Sequence, residues 1–172
     1  MSRPDAAPDA AIEAMMSALY EQPDDEAARR ICAERLSERG DPRGEFVRLQ
    51  CAASRHGTNA TLVREAELLE AHESDWLGPL VDAVCRAEWD RGFLFACTLP
   101  HPSPDWLRER ADDWRWSTVE VLELERWWEG GASASQLAGF VCAPRLGALK
   151  RLGGVTLPLL EELASRGSRI EE

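Results

Sequence analysis

Phe93-Leu94-Phe95-Ala96-Cys97-Thr98-Leu99 is β-prone, alternates in character and is stopped by Pro100, so it reads as a strand. Within it Leu94, Cys97 and Leu99 follow the spacing apolar-x-x-apolar-x-apolar. Val119, Leu122 and Leu124 repeat that spacing in the segment 118–125, where apolar and acidic residues alternate. A third copy, at the strand expected within 146–152, keeps Leu149 and Leu152 but has Gly154 at the last position, just beyond that strand. The copies are offset by 25 and then 30 residues, and a helical pattern follows each: 104–114, 133–142 and 157–164. A strand–helix unit cannot bury its apolar side alone, so the spacing predicts about three such units stacked on a parallel sheet, an α/β fold resembling leucine-rich repeats. An ordinary α/β domain whose strands share a spacing is the alternative, and the asparagine that usually continues the leucine-rich pattern is missing.

Upstream of Arg91-Gly92 the chain reads as helix throughout. The first ten residues, rich in Pro, Asp and Ala, are expected to be a disordered lead-in. Ile12, Met15, Met16 and Leu19 recur at helical spacing. Pro23 ends that helix, and Asp24 and Asp25 cap a second whose expected apolar face is Ala28, Ile31, Cys32 and Leu36. Gly40 stops it. Asp41-Pro42 then places an N-cap and a first-turn proline at the head of a third helix, with Phe46 and Leu49 inward. A fourth, from about Thr61, is expected to face inward through Leu62, Ala66 and Leu69 and to end near Trp76. The expected organisation is therefore a lead-in (1–10), a helical N-terminal cap (11–90) and the strand–helix stack (91–172).

Arg29-Arg30-Ile31-Cys32-Ala33-Glu34-Arg35-Leu36-Ser37-Glu38-Arg39-Gly40-Asp41-Pro42-Arg43-Gly44-Glu45-Phe46-Val47-Arg48-Leu49-Gln50 resembles the bacterial repeat-companion domain, with "ERGDPRGEF" as the specific core of the likeness. Trp76-Leu77-Gly78-Pro79-Leu80 and Arg91-Gly92-Phe93 are similar to later landmarks of that family, so the resemblance spans roughly residues 10–100. It implies a non-catalytic scaffold of the kind that often precedes leucine-rich repeats. This chain departs from it where the family has tyrosine, aspartate and tryptophan: Cys32, Glu34 and Arg35 stand there.

Composition narrows the function classes. The net charge of -11 and the absence of a basic stripe argue against direct nucleic-acid binding. Residues 1–102 hold 19 acidic and 11 basic groups and residues 103–172 hold 12 and 9, so the acidity is concentrated upstream. No apolar run approaches a membrane span, and Asp5, Asp9 and Glu13 stand where a signal peptide would be basic or apolar; both point to a cytoplasmic protein. Five cysteines without CxxC spacing argue against a disulfide framework and a zinc site. His56, His72 and His101 are isolated, and no phosphate loop, dinucleotide fingerprint, nucleophile elbow or HExxH is present. No catalytic residue, cofactor or metal is therefore assigned. The charged group Glu38, Arg39, Asp41, Arg43 and Glu45 is read as fixing a turn.

The expected function is a non-catalytic protein–protein interaction module. An immunity protein that neutralises a bacterial toxin is the first alternative, since an acidic inhibitor suits a basic partner, and an unrecognised enzyme is the second. The expected binding site is the solvent face of the second strand, Glu120, Glu123 and Glu125, with Trp127 and Trp128 directly after it. Phe95, Ala96, Thr98, Lys150 and Arg151 are expected alongside. Trp76, Trp89, Trp106 and Trp114 are expected in the core. The oligomeric state is open, because the last strand has a free edge on which a second copy can pair.

Overall fold

A computed structural model describes residues 10–22, 25–56, 58–100, 102–125 and 131–167. Residues 1–9 of the expected lead-in lie outside this set, and Ala10 opens the first helix. Trp127 and Trp128 also lie outside it. The chain divides into two compact units, residues 1–72 and 73–172.

The first unit is helical: α1 (Ala10–Glu21), α2 (Glu26–Glu38), α3 (Pro42–His56) and most of α4 (Asn59–Leu77). The carboxylate of Asp25 accepts from the Ala28 N–H at the head of α2. The Gly-Asp-Pro-Arg-Gly motif explains the turn between α2 and α3. Gly40 takes a φ of 72°, and Asp41 accepts from the Arg43 N–H at 2.9 Å. A Cβ on Gly44 would come within 2.7 Å of the Ala33 carbonyl oxygen and the Ser37 backbone, so only glycine lets α3 cross α2 this closely. The charges of the turn find partners beyond it. Glu38 pairs with Arg35, Glu45 with Arg64, and the Arg43 guanidinium donates to the Tyr20 hydroxyl at 3.2 Å.

Two helix faces differ from those expected. On α2 the buried residues are Arg29, Cys32, Ala33 and Leu36, while Ile31 is 54% exposed. On α4 Leu62 and Ala66 are exposed and Leu68 is buried. A buried arginine sets the first difference: with Arg29 inside, the helix presents Ile31 to water.

The second unit is a mixed α/β fold. Its four-stranded sheet runs in the order β1 (Arg86–Asp90), β2 (Phe93–Leu99), β3 (Val121–Leu124), β4 (Arg151–Gly153). The expectation of helix up to residue 90 fails at β1. Arg86–Asp90 pairs antiparallel with β2 through the two-residue turn Arg91-Gly92, whose φ values of 49° and 86° suit a tight hairpin. β2, β3 and β4 are parallel, and Cys97, Leu122 and Leu152 stand level across them. The 25- and 30-residue offsets are thus the registers of the two ladders. Leu94, Val119 and Leu149 are buried, as are Leu99 and Leu124. Gly154, the odd residue of the third copy, has a φ of 69°, and a Cβ there would overlap the Leu124 carbonyl, so the missing leucine is a steric necessity.

Between the parallel strands run α5 (Pro104–Arg110) and α6 (Ala134–Val141), and α7 (Leu157–Ser165) follows β4. Ser103 and Ser133 cap α5 and α6, and each helix is followed by a 3-10 turn (Trp114–Thr118, Pro144–Leu146) before the next strand. Leu107, Leu137, Leu159 and Leu163 from the helices meet Leu122 and Leu152 from the strands in one apolar cluster. Each such side chain contributes about 1.5–3 kcal/mol by leaving water. Trp116 fills the centre. It is fully buried, lies edge-on to Trp106 and Phe140 at 6.1 and 5.2 Å, and donates its indole N–H to the Arg110 carbonyl at 2.7 Å. Of the tryptophans expected in the core, Trp76 is buried and Trp89 and Trp106 pack half-buried against the apolar cluster; Trp116 takes the place expected of Trp114, which is half-buried and carries the Arg115 guanidinium over its ring at 4.2 Å. Arg115 also donates to the Trp76 carbonyl and pairs with Asp113, which ties off the last turn of α4.

Candidate functional site

The three glutamates expected to form a site occupy distinct places. Glu120 precedes β3 and is half-buried. Its N–H donates to the Phe95 carbonyl, its own carbonyl accepts from the Lys150 and Arg151 N–H groups, and its carboxylate pairs with Lys150 at 2.6 Å. It thereby links three adjacent segments of the sheet. Glu123 and Glu125 are exposed, and neither side chain has a hydrogen-bond or ion-pair partner among the described residues. Strand alternation puts Glu123 on the face opposite Leu122 and Leu124. Its carboxylate lies over Gly153 of β4, in the space that any side chain at 153 would occupy.

Beside this group stand Thr98, half-buried, and Arg151, exposed. Phe95 is half-buried, and Ala96, expected on the open face, is buried. The accessible part of the sheet face is therefore its β3–β4 end, with two acids free of partners among the described residues. Such a surface can take up cations from a partner at low desolvation cost, and salt would screen the attraction.

A feature that the sequence reading missed lies in the helical unit. A half-open groove of about 470 Å³ runs between α2 and α3, edged by Glu26, Arg30 and Glu34 and floored by Ala33 and Val47. Its signal in the sequence is the i, i+4, i+8 stripe Glu26–Arg30–Glu34, which puts one charge per turn on a single helix edge. Glu34 is also one of the three positions that depart from the repeat-companion pattern.

The chemistry of the remaining titratable groups is modest. Burial pushes the Cys32 thiol up to about 11, against a smaller downward pull from Arg43, and the thiol donates to the Met16 sulfur at 3.4 Å. Burial pushes Cys97 up to about 12. Neither is a thiolate at neutral pH, so neither is primed as a nucleophile. The hydrogen bonds from Arg64 hold the Glu45 carboxyl below its ordinary value. Among the described residues no group of three or more histidine, cysteine or carboxylate side chains is placed to hold a metal ion. No described helix is long and apolar enough to cross a membrane. Compared with family models, with curated proteins and with solved structures, the chain gives no match.

Proposed function

We propose that this chain is a non-catalytic protein-interaction module: a helical head of repeat-companion type followed by a short, degenerate leucine-rich-repeat-like stack. In support of the stack, α5 and α6 start 17 positions before β3 and β4 respectively, and each is followed by a 3-10 turn ten positions after its start. That internal recurrence is what a repeated strand–helix unit produces. In support of the head, Gly40, Asp41, Arg43 and Gly44 of the turn each have a structural task, which suits a scaffold motif.

The observation that carries the binding role is the exposed pair Glu123 and Glu125, free of side-chain partners among the described residues, on the solvent side of parallel strands. The partner this face fits is a protein with a basic surface, and a toxin with a basic active site is one such protein. Trp127 and Trp128 follow the strand in sequence and supply the aromatic anchors of the same site. The test is capture from the source cell with the full chain and with Glu123→Ala/Glu125→Ala and Trp127→Ala/Trp128→Ala variants. The partner is expected to be retained by the parent chain, to be eluted by salt, and to be lost from both variants. Equal retention by all three would remove the site.

A further inference from the structure

We infer that the free edge of β4 is a self-association surface on which a second copy of this chain pairs, antiparallel and two-fold, to continue the sheet. Among the described residues β4 is the last strand of the sheet, with β3 on one side and no strand on the other. The Arg151 N–H turns inward to the Glu120 carbonyl, so the two-residue period of a strand turns the N–H and C=O of Leu152 outward. A two-fold axis through that point makes Leu152 exchange both backbone hydrogen bonds with Leu152 of the second copy. Arg151 then stands opposite Gly153 of the other strand.

Charge selects this occupant. Arg151 is exposed and its side chain has no partner among the described residues; Glu123 is in the same position. Gly153 leaves its space to the Glu123 carboxylate, so that carboxylate lies where the incoming Arg151 arrives. Each copy thus offers one unpaired cation and one unpaired anion, and the two-fold operation matches both at once. That is the self-complementarity an isologous interface requires. Apolar surface also follows β4 in the chain: Leu157 is 70% and Leu160 37% exposed on α7.

The inference shares Glu123 with the proposed partner site but differs from that reading in using Arg151, so loss of the dimer on Arg151→Glu with partner capture kept tells the two apart. It is tested by sedimentation of the full chain across a micromolar concentration series, with circular dichroism to confirm folding. A concentration-dependent dimer is expected. Arg151→Glu sets like charges against Glu123 and is expected to weaken the dimer at least ~10-fold. The exchange Arg151→Glu/Glu123→Arg is expected to restore it. A monomer at every concentration overturns the inference, as does a dimer that Arg151→Glu leaves intact, or one the exchange fails to rescue. Capture of a different protein that protects the β4 amides from exchange, with the chain itself monomeric, assigns the edge to another occupant.

Discussion

In the helical unit Arg29 and Arg43 are buried beside Cys32 and Tyr20, whereas among the described residues the buried side chains of the sheet unit, Thr118 apart, are apolar. The two interiors therefore respond to different insults. An apolar core of leucines and tryptophans resists any change that keeps volume and fails on a cavity. An interior that seats guanidinium groups depends on each hydrogen bond being made, because a buried cation left short of partners costs more than the bond itself contributed. The lesson is that one chain can combine an apolar interior with one in which guanidinium groups are seated among apolar side chains.

Three substitutions sharpen that contrast, in descending order of effect. Trp116→Ala removes the ring that Trp106 and Phe140 abut and is expected to cost about 3–5 kcal/mol. Hydrogen exchange read by mass spectrometry should show protection lost across β2, β3 and α6 while α2 and α3 keep theirs; equal loss in both units would erase the distinction. Tyr20→Phe withdraws the hydroxyl that accepts from Arg43 and is expected to cost about 1–2 kcal/mol, read in the exchange of α1 to α3. A neutral result would mean that the buried guanidinium does not need that oxygen.

The smallest effect belongs to Glu45→Gln, since both partners of the Glu45–Arg64 pair are substantially exposed and screened. Its pH dependence has a definite sign. Arg64 lowers the Glu45 pKa in the folded chain, so the pair's contribution is complete above the ordinary value of 4.5 and is lost as pH falls through the lowered one. The parent chain should therefore unfold at a slightly higher temperature than the variant near neutral pH, and the difference should vanish in acid. A difference that persists at low pH would trace to packing instead.

The sheet was more legible than the helices. Parallel strands must bring their core side chains level, so Cys97, Leu122 and Leu152 advertise their register through spacing alone. β1 escaped because Arg86-Ala87-Glu88-Trp89-Asp90 is polar and lies at the edge, where pairing with β2, not burial, makes the strand. On α2 the apolar face was read through Ile31 because arginine is usually a surface residue. Arg29 reversed that expectation. Trp114 and Trp116 are two positions apart in a 3-10 turn, and a helical pattern drawn to 114 offered no reason to prefer the second. The spacing of Glu120, Glu123 and Glu125 suggests one acidic strand, whereas β3 holds only Glu123 of the three, and the tie between Glu120 and Lys150 crosses 30 positions that only the fold brings together.

The unequal registers of the two parallel ladders have a consequence for redesign. The stretch from helix start to strand start is 17 positions in both strand–helix repeats, so the five extra residues of the second repeat fall between Leu124 and Ala134. Chain length there is decoupled from the framework. Loop entropy changes only with the logarithm of length, so this junction is a natural graft point where peptides of differing size can be installed without re-registering the sheet.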